Sequence, residues 1–252
     1  MGGASRAEKR RKQAEAERRL AAAGIEAPQR ASGRRAPLLV VAAVVGIAVV
    51  VGLVLLLRGG SGEPVAANYA VSRDGAVVVA GQPSAPVTVD VYSDYICPFC
   101  ERFEERYGDE ITEALNAGQI AVRYHEVGLL DSFSEPPGYS TRAANAALCA
   151  ADAGIWPAYH DRLFAEQPAE GGPGLLDDQL VAFGTELGAP ATFDECVRTG
   201  ANAEAVATQT QAMIDDPAVK NAQGQTGTPT VLVNGTRVDI SDGDWLSNAI
   251  GG

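Results

Sequence analysis

The 252-residue chain contains 20 basic and 32 acidic residues, which gives a formal net charge of −12 at neutral pH. The charge is unevenly divided: residues 1–36 carry ten Lys or Arg against four Glu, whereas residues 59–252 carry nine basic and 28 acidic residues. A domain as acidic as residues 59–252 is not expected to bind nucleic acid, because the phosphates would repel it.

Residues 1–37 form a basic tail ahead of a long apolar segment. Residues 38–57 contain no charged or polar side chain, and twenty such residues span a hydrocarbon core of about 30 Å. The tail is longer than the leader of a cleaved signal peptide, so we predict an uncleaved transmembrane helix. The excess of positive charge before it places the tail in the cytoplasm and the rest of the chain outside. Cleavage near Ala66 and Ala67 is the alternative.

Residues 58–74 are predicted to be a linker, and an alternation of strands and helices follows it. Residues 76–80 and 87–92 are β-branched runs that favour strands. Residues 98–117 favour a helix, with Phe103, Tyr107, Ile111 and Leu115 forming its apolar face. Residues 120–127 favour another strand, so the pattern predicts a parallel βαβ unit.

The middle of the chain changes to a helical period. Helices are predicted at 140–153, 157–166, 176–187 and 192–214, separated by segments rich in Gly and Pro. We interpret residues 129–216 as an all-helical insertion between two parts of one α/β core, residues 75–128 and 217–252. The second part opens with a hairpin of residues 229–233 and 236–240 around Asn234-Gly235, a strong turn signal, and a short helix at 244–250 closes it.

A Cys-Pro-Phe-Cys motif at positions 97–100 lies between the second strand and the first helix. A helix N-terminus presents unpaired N–H groups that stabilise a thiolate. Cys97 is therefore the predicted nucleophile and Cys100 the resolving thiol, while Pro98 suits a first helical turn. A zinc site is disfavoured because the chain has only two histidines, and a structural disulfide because so short a loop gains little stability.

The other two cysteines, Cys149 and Cys196, fall in the first and last predicted helices of the insertion. All four cysteines lie in the part that we expect to be exported, where an oxidising environment preserves disulfides. We predict a structural disulfide between Cys149 and Cys196. The alternative is a second redox pair that passes electrons to Cys97 and Cys100.

Three features resemble the DsbA-like group of the thioredoxin superfamily. Residues 93–100 are similar to its active-site segment, the helical insertion lies where that group splits the core, and residues 227–230 are similar to its cis-proline loop. The resemblance covers roughly residues 75–250 and implies a thioredoxin fold with an inserted helical subdomain. It also implies that the Thr228–Pro229 bond is cis, beside Cys97, and that the Thr228 backbone pairs with an extended substrate.

The resemblance implies a membrane-anchored thiol–disulfide oxidoreductase that introduces disulfide bonds into exported proteins. Its substrates would be reduced exported proteins, and a quinone-linked membrane oxidase (DsbB-like or VKOR-like) would accept its electrons; no cofactor or metal is implied. The residues assigned to catalysis are Cys97, Cys100, Pro98, Phe99, Thr228 and Pro229. Two alternatives are an extracytoplasmic reductase or isomerase, and a non-catalytic metal carrier or chaperone on the same fold.

The chain departs from this group in its acidic residues. Many relatives carry a buried acid six residues before the first cysteine, where this chain has Val91. Asp90 alternates to the opposite face of the strand and Asp94 lies in the loop, so we predict no buried proton-relay carboxylate.

The second departure is at Phe99, where the strongest oxidants of the group have histidine. Phe99 cannot hydrogen-bond to Cys97, and the first turns of the helix carry three glutamates that oppose a thiolate. We therefore expect a Cys97 pKa in the upper part of the range of about 3.5–7.5, and a potential more negative than about −120 mV.

The two histidines and several apolar residues also receive predicted positions. His125 is predicted to be a half-buried structural residue, and His160 to lie on a solvated helix face. Two alternatives are equally compatible with the sequence for five further residues: they form an apolar surface that binds unfolded substrates, or they are buried in the core. These residues are Tyr92, Tyr95, Ile96, Phe99 and Trp156.

Overall fold

The computed structural model describes residues 65–251. The predicted tail, the transmembrane helix at 38–57 and the first part of the linker lie outside these residues. Within 65–251, none of the helices combines the length and the apolar character that crossing a membrane requires.

A six-stranded sheet forms the centre of the described region. Its strands are β1 (Val71–Asp74), β2 (Val77–Gly81), β3 (Val87–Ser93), β4 (Ile120–Glu126), β5 (Thr230–Val233) and β6 (Thr236–Arg237), in the spatial order β1-β2-β4-β3-β5-β6. β3 and β4 are parallel, with Val87 opposite Ile120 and Ser93 opposite Glu126. The other neighbouring pairs are antiparallel. The predicted βαβ unit and the hairpin are thus confirmed.

The last part of the predicted linker at 58–74 is a strand, because β1 occupies Val71–Asp74. Alternate residues of β1 are exposed, and the strand pairs with β2 across a turn at Gly75, whose φ is +57°. Glycine adopts this left-handed conformation without steric cost. Since β1 depends on pairing with β2 rather than on its own composition, a local pattern could not identify it.

Seven α-helices lie within residues 65–251, together with two short 3-10 helices at Asp131–Phe133 and Pro217–Val219. The α-helices are α1 (Pro98–Asn116), α2 (Tyr139–Asp152), α3 (Trp156–Ala165), α4 (Asp177–Glu186), α5 (Ala191–Thr199), α6 (Ala203–Asp215) and α7 (Trp245–Gly251). The predicted helix at 192–214 is wrong as a single element, because Gly200 adopts a left-handed conformation that ends α5. The four residues of the predicted apolar face of α1 are buried, as expected.

The α2 helix forms the centre of the helical insertion. Ten of its residues are buried, and many of them are alanines, whose small side chains allow neighbouring helices to approach closely. Cys149 of α2 forms a disulfide with Cys196 of α5, across a sequence separation of 47 residues. The predicted pairing is confirmed, and it joins two helices of the insertion covalently.

We expect replacement of both Cys149 and Cys196 by alanine to lower the free energy of unfolding by about 4 kcal/mol. The physical reason is the conformational entropy that the unfolded chain regains when a loop of this length is opened. Denaturant unfolding of the double variant and of the parent protein measures the difference.

Mass spectrometry after mild reduction provides the matching control. The Cys149–Cys196 disulfide should remain intact under conditions that open a Cys97–Cys100 disulfide. Simultaneous opening of both would favour the alternative in which the second pair relays electrons.

Candidate active site

The junction between β3 and α1 positions both cysteines of the motif. Cys97 is the N-cap residue of α1 in an extended conformation, with Pro98 in the first turn. The N–H groups of Cys100 and Glu101 donate to the Cys97 carbonyl oxygen at 3.0 and 3.2 Å. Both cysteines are thiols in the structure. Cys97 is 3% exposed and Cys100 is fully enclosed, so an incoming thiol can reach Cys97 more readily.

The segment before β5 reaches the same place from the other end of the chain. Because β5 pairs antiparallel with β3, with Thr230 opposite Tyr92, the start of β5 lies beside the end of β3. The Thr228–Pro229 peptide bond is cis. The Cys97 thiol donates to the Thr228 carbonyl oxygen, with 3.4 Å between the two atoms. The structure thus brings together the two predicted parts of the site.

The two thiols have opposite acidities. A hydrogen bond from Cys100 is the main cause that lowers the pKa of Cys97 to about 6, against the opposing effect of burial. The Thr228 hydroxyl and the N–H groups of Phe99 and Cys100 lower it further. Burial, followed by the interaction with Cys97, raises the pKa of Cys100 well above its usual value. At neutral pH, therefore, Cys97 is the thiolate and Cys100 the proton donor.

The pKa of Cys97, about 6, lies in the upper part of the range of about 3.5–7.5 for reactive cysteines, as the sequence predicts. The Thr228 hydroxyl is buried without a hydrogen-bond partner among the described residues while Cys97 is a thiol. It can therefore donate to the sulfur once Cys97 ionises. This donor is a feature that sequence reasoning missed, because only the backbone of Thr228 was assigned a role.

Asp94 corrects the prediction that the site lacks a buried carboxylate. Its side chain is fully buried three residues before Cys97. One carboxylate oxygen accepts from the Ile96 N–H at 3.1 Å and the other from the Leu130 N–H at 2.9 Å. Burial raises the pKa of Asp94 to about 7, although these hydrogen bonds oppose the shift. A loop residue becomes buried here because the chain near Leu130 covers it, a long-range contact that local sequence does not reveal.

Glu126 is a second buried carboxylate that sequence reasoning missed. It ends β4 opposite Ser93, and one of its oxygens accepts from the Tyr95 hydroxyl at 3.1 Å and from the Trp156 indole N–H at 3.3 Å. Burial raises the pKa of Glu126 to about 7. The sequence offered only a weak signal, because β4 also contains the polar residues Arg123 and His125.

His160 is buried, so its predicted place on a solvated helix face is wrong. Its Nδ1 lies 2.9 Å from the Tyr95 hydroxyl, and its Nε2 lies 3.6 Å from a Glu104 carboxylate oxygen. Burial disfavours the imidazolium, but the hydrogen bond and charge of Glu104, together with the charges of Asp161 and Glu126, raise the pKa of His160. The polar neighbours of His160 in sequence lie on the outer side of α3, which made the whole stretch appear solvated.

The five residues considered for an apolar substrate surface belong to the core with one exception. Tyr92, Tyr95, Ile96 and Trp156 are buried, whereas Phe99 is 63% exposed. The predicted structural role of His125 agrees with its surroundings: it is buried, stacks on Tyr92 with ring centroids 4.0 Å apart, and bonds Asp90 at 2.8 Å. Phe99 alone of the five proposed residues is therefore available to a substrate.

The chain is similar to several proteins of known structure. A thioredoxin family model matches residues 73–251. The reduced crystal structure of DsbA from Mycobacterium tuberculosis is 31% identical, with a TM-score of 0.57 over 68% of this chain and 85% of that one. The reduced disulfide bond oxidoreductase DsbG from the same organism is 32% identical, with a TM-score of 0.57 over 68% of this chain and 80% of that one.

A curated relative is similar over part of its length. The serine/threonine-protein kinase PknE of Mycobacterium tuberculosis is 33% identical over 192 residues, which cover 74% of this chain and 33% of the kinase. The chain therefore spans about a third of the length of this relative.

Replacing Cys100 by alanine should raise the pKa of Cys97 more than Thr228→Val does, because the hydrogen bond from Cys100 has the larger effect on the thiolate. The pH dependence of alkylation by iodoacetamide measures the pKa in each variant. A Cys97 pKa near the ordinary value of about 8.5 in the parent protein, or equal pKa values in all three proteins, would contradict the proposed hydrogen bonding.

We expect the stability of the protein to fall as the pH rises from about 4.5 through about 7. The folded protein binds the Glu126 proton more tightly than the unfolded chain, so the stabilisation present at low pH is lost as Glu126 ionises in place. Glu126→Gln cannot ionise, and its curve of unfolding free energy against pH should be flatter. Denaturant unfolding across this pH range measures both curves, with Glu110→Gln as a control for net charge. Parallel curves for the parent protein and Glu126→Gln would refute this account.

Proposed function

The chain belongs to the thioredoxin family as a DsbA-like thiol–disulfide oxidoreductase, and on this premise we propose that it introduces disulfide bonds into exported proteins. The observation that supports this best is the opposite acidity of Cys97 and Cys100 at the start of one helix. A stabilised Cys97 thiolate is a good leaving group, which favours transfer of the disulfide to a substrate.

The proposed reaction begins with the Cys97–Cys100 disulfide. A substrate thiolate attacks the Cys97 sulfur, the bond to Cys100 breaks, and the Cys100 sulfur takes up a proton. A second substrate thiolate then attacks the substrate sulfur of this mixed disulfide and releases Cys97 as a thiolate. The substrate has lost two electrons to the enzyme pair. Asp94, whose pKa of about 7 allows it to gain or lose a proton near neutrality, is the buried group that we assign to proton exchange.

The substrate segment is proposed to lie against the cis-proline loop. The Thr228 carbonyl oxygen already accepts a hydrogen bond from Cys97, and the Thr228 backbone would pair with an extended chain by strand addition. Reduced exported proteins are the proposed substrates. Pro98 keeps its predicted place in the first turn, where no N–H is needed.

The proposed setting is the cell membrane. Residues 38–57 would anchor the chain with its N-terminus in the cytoplasm and its catalytic domain outside. A quinone-linked membrane oxidase, DsbB-like or VKOR-like, would reoxidise the reduced pair. Support for this setting comes from the apolar segment and from the disulfide between Cys149 and Cys196, a bond that persists in oxidising compartments.

The full-length oxidised protein should accelerate oxidative refolding of a reduced two-cysteine substrate, and Cys97→Ser should abolish the acceleration because no mixed disulfide can form. Formation of the substrate disulfide, followed by mass spectrometry after alkylation, measures the rate. Equal rates with the parent protein and Cys97→Ser would reject a disulfide-exchange role and support a carrier or chaperone.

Two further readouts separate oxidation from reduction or isomerisation. Recovery of a substrate with scrambled disulfides reports isomerase activity, and titration against glutathione gives the reduction potential. An oxidase should act on the reduced substrate faster than it rescues the scrambled one.

A further inference from the structure

The basic residues of the described region fall into two groups. Residues 65–251 contain nine Lys or Arg. Five form an ion pair with a carboxylate within 4.0 Å: Arg73, Arg123, Arg142, Arg162 and Arg198. The other four have no carboxylate within that distance among the described residues: Arg102, Arg106, Lys220 and Arg237. Arg237 donates to the Val219 carbonyl oxygen, but this contact does not neutralise its charge. In a domain with three times as many acidic as basic residues, cations without a carboxylate partner require an explanation.

These four cations line two cavities that share Pro229 and Ile240. A cavity of about 580 Å³ is lined by Arg102 and Arg106. A cavity of about 400 Å³ is lined by Lys220 and Arg237. Pro229 follows Thr228, whose carbonyl oxygen accepts a hydrogen bond from Cys97, so both cavities adjoin the proposed substrate position. We call these two cavities together the cationic cleft.

Aromatic rings support the two arginines of the larger cavity. The Arg102 guanidinium carbon lies 4.4 Å from the Phe99 ring centroid, and that of Arg106 lies 5.0 Å from the Tyr107 ring centroid. A guanidinium stacked on a ring keeps the N–H donors at its edge available to a carboxylate. The exposed ring of Phe99 adds an apolar surface to this cavity.

Each cavity also contains one carboxylate. Glu105 lines the larger cavity and Asp239 the smaller one. The Asp239 carboxylate already accepts hydrogen bonds from the Ser241 N–H at 2.9 Å and the Ser241 hydroxyl at 2.7 Å. With two cations and one carboxylate in each, both cavities are net positive, in contrast to the domain as a whole.

We propose that the cationic cleft makes the enzyme select substrate segments that carry Asp or Glu within a few residues of the reacting cysteine. The inference rests on the proposed oxidation of substrates by Cys97. An acidic segment is repelled by most of the domain and attracted beside Pro229, so the charges both select the segment and orient it. The apolar walls accommodate its neighbouring side chains.

The test uses three unstructured peptides that each contain the same cysteine pair, flanked by Glu, Gln or Lys. The oxidised full-length protein should oxidise the Glu peptide with the highest kcat/KM and the Lys peptide with the lowest. The difference between the Glu and Gln peptides should be about two- to fivefold at low ionic strength, the effect of one or a few exposed ion pairs. High salt should remove it.

Variants identify the side chains responsible. Arg102→Gln and Arg106→Gln should each lower the Glu-to-Gln ratio, whereas Glu105→Gln should raise it. Arg198→Gln, which removes an equal charge from the helical insertion, should leave the ratio unchanged. Equal rates for the three peptides, or an equal loss in Arg198→Gln and Arg102→Gln, would overturn the charge preference while leaving the proposed function intact. If no peptide is oxidised although dithiothreitol is, the proposed function itself fails, and the inference with it.

Discussion

The hydrogen bond between the Cys100 thiol and the Cys97 sulfur is the interaction on which the rest of the site depends. It exists because residues three apart in a first helical turn lie on the same face, and because Cys97 occupies the N-cap, where backbone N–H groups lack partners. Burial keeps Cys100 protonated and therefore a donor. Burial also opposes ionisation of Cys97, and the hydrogen bond from Cys100 offsets this cost. The enclosed, protonated Cys100 is therefore what allows Cys97 to ionise.

The order of strands in the sheet supplies the second half of the site. β5 lies directly beside β3, so Thr228 and Cys97 meet although 131 residues separate them. The helical insertion closes the site from another direction, since the Gln167 side chain donates to the Cys97 carbonyl oxygen at 3.2 Å and the Leu130 N–H holds Asp94. Residues from the core and from the insertion therefore determine the position of one cysteine.

Sequence reasoning succeeded where a structure is determined by nearby residues. The buried face of α1, the βαβ unit and the turn at Asn234-Gly235 all follow from local periodicity and turn preferences. It failed where burial is imposed by a distant segment, as for Asp94 under Leu130 and His160 against Tyr95. It also predicted α5 and α6 as one helix. The helical spacing of apolar residues continues across Gly200, so this spacing does not reveal the left-handed conformation that ends α5.

The acidity of the domain raises the question of how a Cys97 thiolate is stable within it. Burial raises the pKa of Asp94 and of Glu126 to about 7, so both are still mostly neutral near pH 6, where Cys97 ionises. They consequently add little negative charge while the thiolate forms. Glu101 and Glu105 begin α1, but they face solvent more than the buried pair, and water and salt screen exposed charges. Arg102 and Arg106, which line the same cavity as Phe99, carry positive charge that favours the Cys97 thiolate. The active site can therefore hold a thiolate in an acidic domain because Asp94 and Glu126 stay mostly protonated at the pH where Cys97 ionises, and because water and salt screen the exposed glutamates.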